Sequence, residues 1–130
     1  MRWPLILVAF LGLDMCQRDE TVSGHGGGAS EWTLVSIDGA AFEARATMEF
    51  PEEGAIAGKG PCNSYRGEQT APYPWFDADR ISATRRACPE LEAEARFLET
   101  LTAMKQVEVA GGTLILSNDA GREMVFRASD

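Results

Sequence analysis

Gly58-Lys59-Gly60-Pro61-Cys62-Asn63-Ser64-Tyr65 is the stretch on which the reading of this chain turns. Two glycines and a proline break the chain just ahead of a cysteine, and a strand-like path, Asn63 to Gly67, resumes behind it. A second cysteine stands in Thr84-Arg85-Arg86-Ala87-Cys88-Pro89, at the start of a helical pattern. Neither lies in a Cys-x-x-Cys motif.

Outward from these cysteines, short β-rich runs alternate with turn residues. Glu31 to Ile37 reads as a strand closed by the turn pair Asp38-Gly39. Arg45 to Phe50 alternates, with Ala46, Met48 and Phe50 on one face. Pro51 to Gly54 is turn chemistry, and Ala55 to Gly58 returns as the second arm of a hairpin. Arg80 to Ser82 is another short strand. Pro89 to Met104 carries Leu91, Ala95, Phe97, Leu98 and Leu101 at helical spacing, and its acids suit a solvated face and the positive helix start. Gln106 to Ala110 and Thr113 to Ser117 flank Gly111-Gly112, and Glu123 to Arg127 closes a meander. The fold class is α+β: a small, curled antiparallel sheet, barrel-like, with one helix packed on it. Trp32, Leu34, Phe50, Leu98, Leu101, Leu116 and Phe126 are the expected core.

The first residues read as export signals. Met1-Arg2-Trp3 is a short positive segment, and Pro4 to Leu13 is an uncharged apolar run, too short for the ~20 residues of a membrane span. Leu13-Asp14-Met15-Cys16 stands where a lipobox would, and so resembles a bacterial lipoprotein signal; Met15 replaces the small residue usual before the cysteine. The expected organisation is a signal peptide over residues 1–15, a flexible Gly/Ser-rich tether over 16–30 that starts at a lipidated Cys16, and a domain over 31–130. His25, the single histidine, falls in that tether, which argues against Ser-His and Cys-His catalysis.

The formal net charge of −8 and the lack of a Lys/Arg cluster make nucleic acid and anionic lipid poor partners. A domain of ~100 residues buries somewhat over 60% of its unfolded surface, which leaves a thin stability margin. Three readings of Cys62 and Cys88 stay open: a structural disulfide, free buried thiols, or a redox or catalytic pair. In an oxidising envelope the closed pair is the default, and a loop of about 25 residues tied this way gains ~3 kcal/mol.

The ordered set Trp32-x-Leu34, Asp38-Gly39, Gly58-x-Gly60-x-Cys62-Asn63-x-Tyr65, Ala87-Cys88-Pro89, Glu92-x-Glu94, Phe97-Leu98 and Phe126 resembles the META domain family, also called HslJ-like. The resemblance spans residues 31 to 127. It implies a β-rich, barrel-like fold with a helix, and proteins of the bacterial envelope, some tied to heat stress or drug tolerance. It brings no catalytic residues. The expected protein is a non-enzymatic binding or stress-protection module facing the periplasm, with neither cofactor nor metal. Its expected partners are the membrane, through the anchor, and an envelope protein or peptide. Tyr73, Trp75 and Phe76, beside two prolines, form the candidate binding surface, with Asn63, Arg85 and Arg86 near the cysteines. For Asn63, a local backbone role competes with a ligand role. The alternative function is a cysteine-based redox or catalytic factor, with Arg85 and Arg86 acidifying Cys88.

Overall fold

The computed structural model describes residues 18–129. The leader and Cys16 lie outside the described residues. Among the described residues, nine strands and one α-helix form an α+β domain. Strands β1 (Glu31–Ile37), β2 (Ala40–Ala41), β3 (Thr47–Met48), β7 (Gln106–Ala110), β8 (Thr113–Ser117) and β9 (Glu123–Ser129) make one antiparallel sheet, ordered β2-β1-β9-β8-β7. β3 shares with β2 the same edge of β1: Trp32 and Thr33 pair with Met48 and Thr47, whereas Ser36 and Ile37 pair with Ala41 and Ala40. Strands β4 (Gly54–Lys59), β5 (Ser64–Gln69) and β6 (Asp79–Ala83) make the second sheet. The expected hairpin of Arg45–Phe50 with Ala55–Gly58 joins the two through the Glu49–Ala57 bridge, at 2.7 and 3.0 Å.

The sheet curls but does not close. Instead of pairing with β6, the edge strand β7 is lined by the Tyr73–Phe76 segment, where Val107 N–H donates to Pro74 O and Phe76 N–H to Lys105 O, both at 2.8 Å. The tight turns fall where the turn residues stand in the sequence. Asp38 (φ 52°) and Gly39 (φ 83°) fill a two-residue loop between Ile37 and Ala40, the left-handed pair that strand twist favours. Asp38 also pins the start of β9, since its carboxylate accepts the Glu123 N–H at 3.0 Å and pairs with Arg122 at 2.9 Å.

Ala46, Met48, Phe50, Trp32, Leu34, Leu101, Leu116 and Phe126 are buried as expected, and Leu98 is half-buried. Helix α1 (Leu91–Ala103) begins two residues later than the pattern suggests. Pro89 and Glu90 form a turn, and Glu90 N–H meets Cys88 Sγ at 3.4 Å, so the cysteine end of the loop occupies the helix entrance. The buried face is also rotated from the apolar stripe. Leu91 and Ala95 are exposed, whereas Glu94, Phe97, Thr100 and Leu101 face inward. Phe97 is the helix's main contribution, set 5.6 Å from the Tyr65 ring and 6.4 Å from Phe42.

The flexible tether is corrected over its described part. Asp19 folds the chain by accepting hydrogen bonds from Thr21 N–H and from the Thr21 and Ser23 hydroxyls. Two short 3-10 turns follow, Val22–His25 and Gly27–Ala29. Val22 is buried, and Trp32 Nε1–H donates to Gly27 O at 2.8 Å. The glycines in this stretch permit close packing against Val22 and Phe50, where composition alone suggested freedom.

Gly58 is required by a close crossing. Tyr65 Oη–H donates to Thr47 O at 2.7 Å, joining β5 to β3, and a Cβ on Gly58 would collide with that carbonyl oxygen and stand 2.6 Å from the phenol. Burial pushes the Tyr65 phenol up, with the Glu49 charge adding to it, so the group stays a neutral donor. Gly58→Ala is expected to cost about 3 kcal/mol, read as a lower urea midpoint with an unchanged slope; wild-type stability in that variant would refute the crossing.

Candidate functional site

The two sequence motifs around the cysteines converge on one side chain that neither contains. Glu94, in the first turns of α1, is only 6% exposed. Its Oε1 accepts the backbone N–H groups of Cys62 at 2.8 Å and Asn63 at 2.7 Å, and its Oε2 accepts Asn63 Nδ2–H at 2.6 Å. No cation pairs with it among the described residues. Three N–H dipoles and the positive end of the helix carry the charge instead. Burial alone would raise its carboxyl pKa, but the hydrogen bonds from the Asn63 side chain and from the Cys62 and Asn63 backbones outweigh it and hold the pKa below the ordinary value. Gly60 provides the space: a Cβ there would stand 2.6 Å from Glu94 Oε1.

Asn63 is the second hub. Its Nδ2 also donates to Arg86 O at 3.1 Å, and its Oδ1 accepts Arg86 N–H at 2.6 Å and the Thr84 hydroxyl at 2.9 Å. Thr84 also receives Ser64 N–H on its Oγ1 at 3.2 Å. The side chain thus makes all four hydrogen bonds available to an amide. The Cys62–Cys88 disulfide, with Cα atoms 5.8 Å apart across 26 residues of sequence, closes the knot beside it. The amide and the disulfide lock the same two segments, one by hydrogen bonds and one covalently, and Glu94 clips both to the helix.

The expected surface divides accordingly. Asn63 is buried and saturated by the chain itself, which corrects its placement on a binding surface. Phe76 is corrected too: it is fully buried, because its N–H pairs with Lys105 O just ahead of β7 and turns the ring into the core. Trp75 is exposed, and Tyr73 is half-buried, stacked on His25 with centroids 4.6 Å apart. Arg85 and Arg86 are exposed, Arg86 being held only through its backbone. The helix acids were expected on a solvated face; Glu94 departs from this because its spacing to Phe97 and Leu101 puts it on the inward stripe. That spacing is the signal that would have found it.

Other hollows are shallow. One, about 590 Å³, lies along β4, β5 and β6 and is lined by Glu49, Lys59, Arg66 and Ser82 among others. Cys62, Cys88 and Glu90 form the one group of metal-ligating side chains among the described residues, and both sulfurs are committed to the disulfide.

These features define a small α+β domain whose helix is tied to its sheets by a disulfide and a buried carboxylate. The chain belongs to the META domain family, whose model matches residues 23–130. No curated protein matches it. Its fold resembles an NMR structure of a protein from Burkholderia xenovorans, with a TM-score of 0.65, 21% identity, and coverage of 83% of this chain and 87% of that one. It also resembles a DUF4847 family protein from Bacteroides vulgatus, with a TM-score of 0.65 at 13% identity, covering 84% of this chain and 99% of that one. At these identities the likeness is one of fold. The family gives a small domain of unknown function.

Two substitutions test the knot. Glu94→Gln is expected to cost about 3 kcal/mol at neutral pH, because the new amide turns donors toward donors. Since the native carboxyl pKa is depressed, this stability is fully present above the ordinary value of 4.5 and is lost as pH falls through the native value, so the gap to wild type narrows in acid. Asn63→Asp sets a second carboxylate against Glu94 and is expected to cost about 4 kcal/mol at neutral pH. Part of that returns in acid as one carboxyl protonates, the opposite pH slope to wild type. Urea unfolding across pH 3 to 8 separates the two; parallel pH profiles would refute the arrangement.

Proposed function

We propose that this chain is an exported, lipid-anchored META domain protein of the bacterial cell envelope, acting as a non-enzymatic binding or stress-protection module. The Cys62–Cys88 disulfide carries this reading, since such ties persist in oxidising compartments and are rare in the cytosol. The apolar leader and the lipobox-like Leu13-Asp14-Met15-Cys16 agree with it and give the third cysteine a purpose. No helix among the described residues is long and apolar enough to cross a membrane.

A non-enzymatic role is supported by how the polar groups are used. Asn63 and Glu94, the most chemically suggestive pair, direct their hydrogen bonds to the chain's own backbone and side chains. The alternative is redox or catalytic use of Cys88 and Cys62; both sulfurs are committed to the disulfide, and Glu90 Oε1 lies 3.3 Å from Cys88 Sγ.

The test is an intact mass of the protein from its native membrane fraction, after alkylation without reduction. The expected mass has an acylated N-terminus at Cys16 and no alkyl groups. An unacylated chain alkylated at Cys62 and Cys88 would overturn both the anchor and the envelope setting, and would favour cysteine chemistry.

A further inference from the structure

The described chain begins beside its exposed aromatic segment. Tyr73 N–H donates to Glu20 O at 2.7 Å, Thr21 forms a bridge with Pro72, and His25 stacks on Tyr73. Only Gln17, Arg18 and Asp19 separate Cys16 from Glu20. Four residue steps reach at most ~14 Å. An acyl group on Cys16 therefore holds the bilayer within that reach of the Glu20–Tyr73 contact, where a floppy leash of fifteen residues would have set no such limit.

Close to that contact stands Trp75, 53% exposed, the most exposed large apolar side chain of the described residues. It borders a hollow of about 290 Å³ that also takes in Ile115 on the outer face of β8. Ile115 pairs with Val125 on β9, and Val35 sits at the β1 bulge beside Val125's partner Ser36, 38% exposed. Ile115, Val125 and Val35 thus make an apolar stripe across β8, β9 and β1, separated from Trp75 by the exposed Glu108 of β7, the partner of Ile115. Indole rings favour the headgroup layer, where an apolar body and a polar N–H are both satisfied. Glu108 borders the same hollow, and the chain carries a net −8, so an anionic lipid surface is repelled and ammonium headgroups are tolerated.

We propose that this face lies against the membrane: Trp75 enters the headgroup layer of a zwitterionic, ammonium-headed phospholipid surface and, with the Cys16 anchor, fixes the orientation of the domain. This rests on the lipid-anchor reading above.

The test uses the chain starting at Cys16, with that thiol coupled to a maleimide phospholipid, in vesicles of phosphatidylcholine with and without brominated acyl chains. Trp32 is buried, so contact quenching reports Trp75. The expected result is a blue-shifted emission and a roughly twofold bromolipid quench, lost in Trp75→Ala and Ile115→Glu and weakened when phosphatidylglycerol replaces phosphatidylcholine. Absence of quenching in the coupled protein, or equal quenching in Trp75→Ala, overturns the proposal; protection of Trp75 by a co-purifying protein, with no lipid quench, would assign the face to that partner instead. The intact mass of the native protein reports separately on acylation, so an unacylated native chain defeats the anchor reading without being mistaken for a failure of the face.

Discussion

A buried carboxylate with no cation beside it among the described residues organises this domain. Glu94 is held by three N–H groups on two residues, Cys62 and Asn63, that lie more than thirty positions earlier in the chain. A charge in that setting is costly unless each lone pair finds a donor, so the helix can dock in only one register. Much else follows from this constraint. Gly60 must lack a side chain, and Asn63 must offer an amide and not a carboxylate. The Thr84–Arg86 segment must return to Asn63, and this brings Cys88 to Cys62.

The disulfide and the amide act on different states of the chain. The covalent tie limits the unfolded ensemble, as far as chain entropy governs it, and the hydrogen-bonded amide specifies one folded arrangement. In a domain of this size neither need be large to matter. The motif residues closest to chemistry are absorbed in holding helix to sheet, whereas the least motif-like stretch, around Trp75, keeps its side chain in solvent.

The N-terminal segment shows how composition misleads. Ser23-Gly24-His25-Gly26-Gly27-Gly28 has the makeup of a linker, and a linker would let the domain drift from any anchor. Its glycines instead let the backbone approach Val22 and Phe50, while Asp19 gathers the hydroxyls and N–H of the turn. Asp19 is itself tuned by this: burial would raise its pKa, but the hydrogen bonds from Ser23 and Thr21, with the nearby His25, lower it. Folding this segment onto Pro72 and Tyr73 packs it against the domain.

The sequence by itself determined the α+β class, the strand runs, the Asp38-Gly39 and Gly111-Gly112 turns, most of the core and the family. These rest on local periodicity and turn chemistry, or on an ordered set of motif residues. Only the tertiary structure decided that Glu94 faces inward, that Asn63 is buried and hydrogen-bonded within the chain, that Phe76 is core while Trp75 is surface, and that the glycine-rich start is packed. Each of those depends on partners distant in sequence. A glutamate at helical spacing reads as solvated until three donors from another segment are seen to meet it. An edge aromatic reads as a surface until its N–H is seen to pair with a strand that turns the ring inward.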